Sequence, residues 1–138
     1  AEYYERLQAV RDRGDWEGWL KFFLEGVYHV SNEAITVARR ILTLQKEHRD
    51  LVVNNLGKGA ANALVLLESL YTLPYVTIQG AAERTGLSFS PANNLVTRLT
   101  HLGILQEATG KKRNRLFKYT SYVSLFEDQP EEVSPRGE

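Results

Sequence analysis

The feature that most restricts the fold of this chain is a stripe of apolar or small residues in its first third. Steps of four and three positions alternate along it, which is the period of one helix face and not of a strand. The stripe comprises Trp16, Leu20, Phe23, Val27, Val30, Ala34, Val37, Ile41 and Leu44. We therefore expect one long helix over 16–47, roughly 48 Å long at about 1.5 Å per residue.

A shorter helix is expected before this long one, over residues 2–13. Gly14 follows it in the usual C-terminal position, and Asp15 can cap the long helix. A small domain alone cannot bury so long an aromatic stripe, so we expect it to pack on upstream sequence, on a second copy, or on itself through a kink near Gly26. The chain begins at Ala1 and has no methionine, which also predicts a piece of a longer protein.

A connection and a third helix follow the long helix. Residues 54–59 have the glycine and asparagine density of a connection, and the residues after it predict a helix over 60–71. Pro74 stops that helix, because proline cannot continue the backbone hydrogen bonds. The β-prone residues 75–77 then predict a short strand.

Two further helices are separated by a glycine. Thr77 is expected to cap a helix over 78–85, which Gly86 closes. Ser90 is the expected cap of the next helix, over 91–101, because proline is favoured in a first turn. A helix, a glycine turn and a second helix are the elements of a helix-turn-helix.

A basic hairpin is predicted after these helices. Residues 104–108 and 116–119 are strand-like, and the intervening residues 109–114 contain glycine and asparagine where a hairpin turn needs them. This hairpin, the wing over 109–118, completes the pattern of a winged helix-turn-helix. We expect a mainly α (α+β) protein in which a helical segment with one long helix precedes the winged helix and its small β-hairpin.

The helix over 91–101 and the wing together predict a DNA-binding surface. In a helix-turn-helix the second helix lies in the major groove, where asparagine can pair with adenine and arginine with guanine, while nearby cations contact phosphates. The predicted DNA-binding residues are Asn93, Asn94, Thr97, Arg98 and His101 on the helix and Lys111, Lys112, Arg113, Asn114 and Arg115 on the wing. Alternatively, these are an ordinary solvated helix face and a basic turn that protects a strand edge, in a domain used for protein interaction or dimerisation.

The charge distribution supports DNA binding more than the net charge does. The formal net charge is zero, but residues 98–118 carry six basic and one acidic side chain. The last twenty residues reverse this balance, with five acidic groups and one basic group.

We expect a helical segment over 1–58, a winged helix over 59–126 and a disordered acidic tail over 127–138.

Other functional classes find little support in the sequence. The chain has no cysteine, its three histidines are far apart, and no nucleophile–histidine–acid arrangement or phosphate-binding motif is present. We expect no metal, no cofactor and no catalysis in this chain. Its longest apolar run is shorter than the roughly 20 residues of a membrane span, so we expect no membrane partner and a cytoplasmic location.

Several segments resemble the C-terminal region of Fic (filamentation induced by cAMP) family proteins. The most specific is the wing run Thr-Gly-Lys-Lys-Arg-Asn-Arg at 109–115, which continues to Tyr119. The other similar segments are residues 2–11, 15–24, 81–89, 92–93 and 99–105. The resemblance covers nearly the whole chain to about Phe126.

This resemblance implies a division of labour within a longer protein. Fic proteins typically transfer AMP from ATP to a target hydroxyl through a His-Pro-Phe-x-x-Gly-Asn-Gly-Arg motif, which this sequence lacks. It also lacks the family's inhibitory Ser/Thr-x-x-x-Glu-Gly/Asn motif. ATP and magnesium are therefore expected only in the missing catalytic core, and that core or a second copy is the expected partner of the long helix. The chain itself would be an accessory module.

Overall fold

A computed structural model describes residues 1–127 as helices with one small sheet. The described residues form two compact units, Ala1–Arg39 and a second unit that begins at Arg40. The elements are α1 (Glu2–Arg13), α2 (Trp16–Leu56), a 3₁₀ turn (Gly57–Gly59), α3 (Ala60–Leu70), β1 (Tyr75–Thr77), α4 (Ile78–Thr85), α5 (Phe89–His101), β2 (Gln106–Glu107), β3 (Leu116–Lys118) and α6 (Thr120–Glu127). The expected mainly α class with a small β part is confirmed.

The first unit contains α1 and the beginning of α2. Gly14 ends α1 in the left-handed conformation, with φ at 68°. The Asp15 carboxylate accepts a hydrogen bond from the Gly18 amide at 3.0 Å, as its predicted cap role requires. The rings of Tyr3 and Trp19 lie edge to face with centroids 5.5 Å apart, so α1 packs beside α2. The helix continues through Gly26 without a break, so it does not fold back on itself there.

The prediction that the long helix ends near Glu47 is wrong, because α2 continues to Leu56. His48, Val52 and Leu56 recur every four residues and are all buried. Their burial offsets the weak helix preference of the asparagines near the end of α2. The predicted connection 54–59 is therefore reduced to the short 3₁₀ turn, and the expected boundary between residues 58 and 59 falls inside the second compact unit.

The core of the second unit lies between its helices and a three-stranded antiparallel sheet. The strand order is β1-β3-β2, and Phe117 of β3 faces Val76 on one side and Glu107 on the other. The fully buried large side chains include Leu66, Leu99 and Tyr119. The succession α3–β1–α4–α5–β2–β3 around one core is the winged helix-turn-helix expected from the sequence.

The first predicted strand of the hairpin, over 104–108, is too long. Ile104 and Leu105 are buried, but their backbone amides both donate to the Leu99 carbonyl, at 3.0 and 3.3 Å. They therefore close the end of α5 and do not join the sheet. Only Gln106 and Glu107 pair with β3.

The first helix of the helix-turn-helix begins and ends as predicted. The Gly80 amide donates to Thr77 Oγ1 at 3.0 Å, and Gly86 ends α4 with φ at 74°. Arg84 of α4 donates to the Tyr75 carbonyl at 2.9 Å and to Ser69 Oγ at 3.1 Å. Burial lowers the pKa of the Arg84 guanidinium. These bonds fix α4 against the end of α3 and the start of β1.

The second helix of the helix-turn-helix begins earlier than predicted. The structure starts α5 at Phe89 and places Ser88, not Ser90, at the N-cap. The Ala92 amide donates to the Ser88 carbonyl at 3.1 Å. Pro91 is thus the third helical residue, which it tolerates because the first-turn amides have no partner within a helix.

The last described helix corrects one expectation about the C-terminus. Tyr122 of α6 packs against the core, and the Phe126 ring, which is 47% exposed, lies 5.2 Å from the Tyr122 ring. Glu127, assigned to the acidic tail, is the last residue of α6, with its carboxylate 3.5 Å from Lys118 Nζ. The rest of the predicted disordered tail, 128–138, lies outside the described residues.

Among residues 1–127, no helix is both long and apolar enough to cross a bilayer. The same residues contain no group of three or more histidine, cysteine, aspartate or glutamate side chains placed to hold a metal ion.

Candidate nucleic-acid interface

A groove of about 550 Å³ lies where the starts of α4 and α5 meet the wing. Its lining comes from three separate chain segments: Thr77, Ile78, Gln79, Phe89, Asn93, Lys112, Arg113, Asn114 and Arg115. Five of the ten predicted DNA-binding residues, one on α5 and four on the wing, therefore meet at one concave surface. We call this surface the wing groove.

The tip of the wing is shaped by two residues with left-handed backbones. Gly110 has φ at 61° and Asn114 has φ at 51°, a conformation that asparagine tolerates better than most residues. The Leu116 amide donates to Thr109 Oγ1 at 3.2 Å, and the Ala108 amide donates to the Leu116 carbonyl at 2.8 Å. These bonds close the base of the loop.

The three consecutive cations at the wing tip are solvent-exposed. Lys111, Lys112 and Arg113 have no ion pair with any residue in the described part of the chain. Lys111 does not line the groove, whereas Lys112 and Arg113 do. Their charge is therefore available to an external anion, such as the phosphate backbone of a nucleic acid.

Three predicted residues of α5 are exposed but lie outside the wing groove. Asn94, Thr97 and His101 face solvent along the helix. Thr97 Oγ1 donates to the Asn93 carbonyl at 2.8 Å, so its oxygen can still accept a hydrogen bond from a ligand. This exposed row continues the polar surface along α5 beyond the groove.

Arg98 is engaged away from the groove, although the sequence predicts it as a base-reading residue. Its Nη2 atom donates to the Asn55 carbonyl at 3.2 Å, in the last turn of α2. A cation beside the free carbonyls at a helix C-terminus is stabilising. Arg98 therefore links α5 to the end of α2.

Arg115 also has partners within the protein. Its Nη2 atom lies 3.4 Å from Asn93 Oδ1, and its Nη1 atom lies 3.9 Å from Glu107 Oε2. The guanidinium carbon is 5.4 Å from the centre of the Phe117 ring. Arg115 therefore connects the wing strands to α5.

Four residues of the groove were not predicted as site residues: Thr77, Ile78, Gln79 and Phe89. Phe89 is 65% exposed at the first position of α5, and Gln79 is exposed near the start of α4. Gln79 Nε2 donates to Glu83 Oε1 at 3.3 Å. Because the sequence predicts α5 to begin at Pro91, Phe89 falls in the turn in that prediction. The available signal was an aromatic residue next to the predicted cap Ser90.

The chain was compared with models of known protein families. No family model matches it.

Proposed function

We propose that the winged helix of this protein binds double-stranded DNA, with α5 in the major groove and the wing along the phosphate backbone or in the minor groove. The observation that carries the proposal is the wing groove, which places the Asn93 amide of α5 beside the cations Lys112 and Arg113. An amide near the start of a recognition helix reaches base edges, and wing cations reach phosphates. Residues suited to the two kinds of contact therefore line one groove.

The resemblance of the sequence to the C-terminal region of Fic family proteins supports a regulatory or targeting role for the proposed DNA binding. We infer that the chain is the accessory end of a Fic family protein in the cytoplasm, and that DNA contact regulates or targets the parent AMP transferase. AMP transfer, with its ATP and magnesium, is assigned to a separate catalytic core because the catalytic motif is absent from this sequence.

The test is a titration of short DNA duplexes at about 50 mM and about 200 mM salt. The variant Lys111→Ala/Lys112→Ala/Arg113→Ala removes the wing cations, and Arg11→Ala/Lys21→Ala/Lys46→Ala is a control that removes three exposed charges elsewhere. We expect the wing variant to bind more weakly and to lower the slope of log affinity against log salt by roughly 3. The proposal fails if the protein binds no duplex at low salt, or if both variants bind equally well.

Self-association is a second candidate function, favoured by the first unit. Leu20, Phe23, Val27 and Val30 follow the alternating spacing of a coiled-coil seam, yet each is about half exposed. A helix that is apolar on its outer face is normally covered. We propose a second copy of this chain as the occupant, because every copy presents the same seam in the same register and a shared seam closes as a symmetric pair.

Light scattering over a range of protein concentrations tests the pairing. We expect a dimer for the natural chain and a monomer for Phe23→Glu/Val27→Glu, which places charge in the seam. Asn32→Glu adds charge on an exposed position outside the seam and should remain a dimer. A natural chain that is monomeric at every concentration would contradict self-association and would favour another domain of the parent as the occupant.

A further inference from the structure

Arg115 is less exposed than its neighbours on the wing and contacts other residues of the protein. Lys112 and Arg113 are exposed, whereas the Arg115 side chain is about one-third exposed and lies between Glu107, Phe117 and Asn93. Glu107 and Phe117 are themselves paired across strands β2 and β3. The two side chains next to the guanidinium, Glu107 and Phe117, therefore form one cross-strand pair of the sheet, and this pair holds the guanidinium in place. The Glu107 carboxylate also balances its positive charge.

The contact with Asn93 determines how that amide is oriented. A guanidinium has only N–H donors, so the atom of Asn93 that faces Arg115 must be the acceptor Oδ1. The Nδ2 amino group is then the part of the Asn93 side chain that Arg115 does not engage. Asn93 lines the wing groove, so its two N–H donors are available to a ligand there.

We propose that Arg115 is a positioning residue that holds the Asn93 amide so that it presents hydrogen-bond donors to an acceptor on a base edge in the major groove. This proposal rests on the proposed DNA binding and adds a base preference to it. Adenine and guanine carry the acceptor N7 on that groove edge and thymine carries the acceptor O4, whereas cytosine offers only a donor there. A phosphate contact by Arg115 is the alternative, and it makes the opposite prediction for base preference.

The experiment selects bound sequences from a pool of random DNA duplexes, and then measures affinity for the selected duplex and for versions changed at one position. We expect the natural protein to disfavour cytosine at one position, with a preference for the other bases of roughly fivefold to tenfold. Asn93→Ala and Arg115→Lys should both lose the preference at that same position. Lysine keeps the charge but cannot bridge Asn93 and Glu107 with a fork of donors.

A second measurement separates positioning from a phosphate contact. Arg115→Ala should change the salt slope by much less than 1. The double variant Asn93→Ala/Arg115→Ala should discriminate between bases at that position no less than Asn93→Ala alone. Lys112→Ala is the matched control, and should lower the slope by roughly 1 while keeping the preference. Thermal melting confirms that each variant is folded, and Arg115→Lys replaces Arg115→Ala if the latter is not.

The outcomes distinguish this proposal from the one on which it depends. The positioning role is overturned if Arg115→Ala weakens binding equally for all sequences and lowers the salt slope by roughly 1, while Arg115→Lys keeps the base preference. That result would leave the proposed DNA binding intact. No binding of any duplex by the natural protein would overturn both.

Discussion

The Nδ1 atom of His48 and the hydroxyl oxygen of Tyr119 are hydrogen-bonded at 2.7 Å inside the second unit. The Tyr119 hydroxyl also lies 3.1 Å from that of Tyr71, and the Tyr122 hydroxyl donates to the Tyr71 carbonyl at 3.0 Å. Burial raises the pKa of the phenols of Tyr119 and Tyr71, so both remain neutral. This polar cluster joins the part of α2 after Arg39 to the end of α3, the end of the sheet and α6, all within the second unit.

Removing the central hydroxyl of this cluster should destabilise the fold. Tyr119→Phe leaves His48 Nδ1 and the Tyr71 hydroxyl without their shared partner, and we expect the free energy of unfolding to fall by about 1–3 kcal/mol. Chemical denaturation measures the change. Tyr75→Phe is the control, because its hydroxyl has no hydrogen bond among the described residues, and it should change stability by less than about 0.5 kcal/mol. Equal effects of the two substitutions would contradict this role for Tyr119.

His48 should make the stability of the second unit depend on pH. Desolvation by burial lowers its pKa in the folded protein below the ordinary value of 6.5, against a smaller opposing effect of Glu47. As the pH falls through 6.5, the unfolded chain gains a proton at His48 before the folded protein does, so stability decreases towards the lower folded pKa. The stability that the neutral His48 contributes is fully retained above pH 6.5.

The measurement is chemical denaturation at several pH values between about 7 and about 5. We expect the natural protein to lose more stability over this interval than His48→Gln, which cannot titrate there but keeps an amide near Tyr119. Parallel pH profiles for the two proteins would show that His48 is not responsible.

The two N-caps of the helix-turn-helix should differ in their contribution to stability. Thr77→Ala removes the hydrogen bond to the Gly80 amide and should cost about 1 kcal/mol. Ser88→Ala should cost only a few tenths, about 0.3 kcal/mol, because the Ser88 side chain makes no capping bond. Thermal melting of the two variants makes the comparison. A larger loss for Ser88→Ala would be the contrary result.

Arg98 should contribute to the fold and not to phosphate binding. Arg98→Ala removes the bond to the Asn55 carbonyl, and because the contact is exposed we expect a stability loss below about 1 kcal/mol. The salt slope of DNA binding should stay unchanged. A slope lowered by roughly 1 would instead mean that Arg98 leaves Asn55 to contact DNA.

Features set by local backbone conformation were predictable from the sequence. Gly14 and Gly86 occupy left-handed positions that disfavour other residues, and Thr77 satisfies an amide only three residues away. Because these effects involve neighbours in sequence, they locate helix ends without knowledge of the fold. The alternation of inward and outward residues on α5 was predictable for the same reason, and it identified Asn93 as a residue of the outer face.

Tertiary contacts decided the rest of the site and of the long helix. The extension of α2 to Leu56 depends on a core assembled from residues far along the chain, which no local propensity of Asn54 or Asn55 reveals. Long, flexible side chains likewise choose partners by proximity in space. Asn55 is 43 residues from Arg98, and Asn93 is 22 residues from Arg115. The sequence by itself determined the helices, the turns and the basic wing, whereas the folded structure decided which cations are exposed to solvent and which contact other residues of the protein.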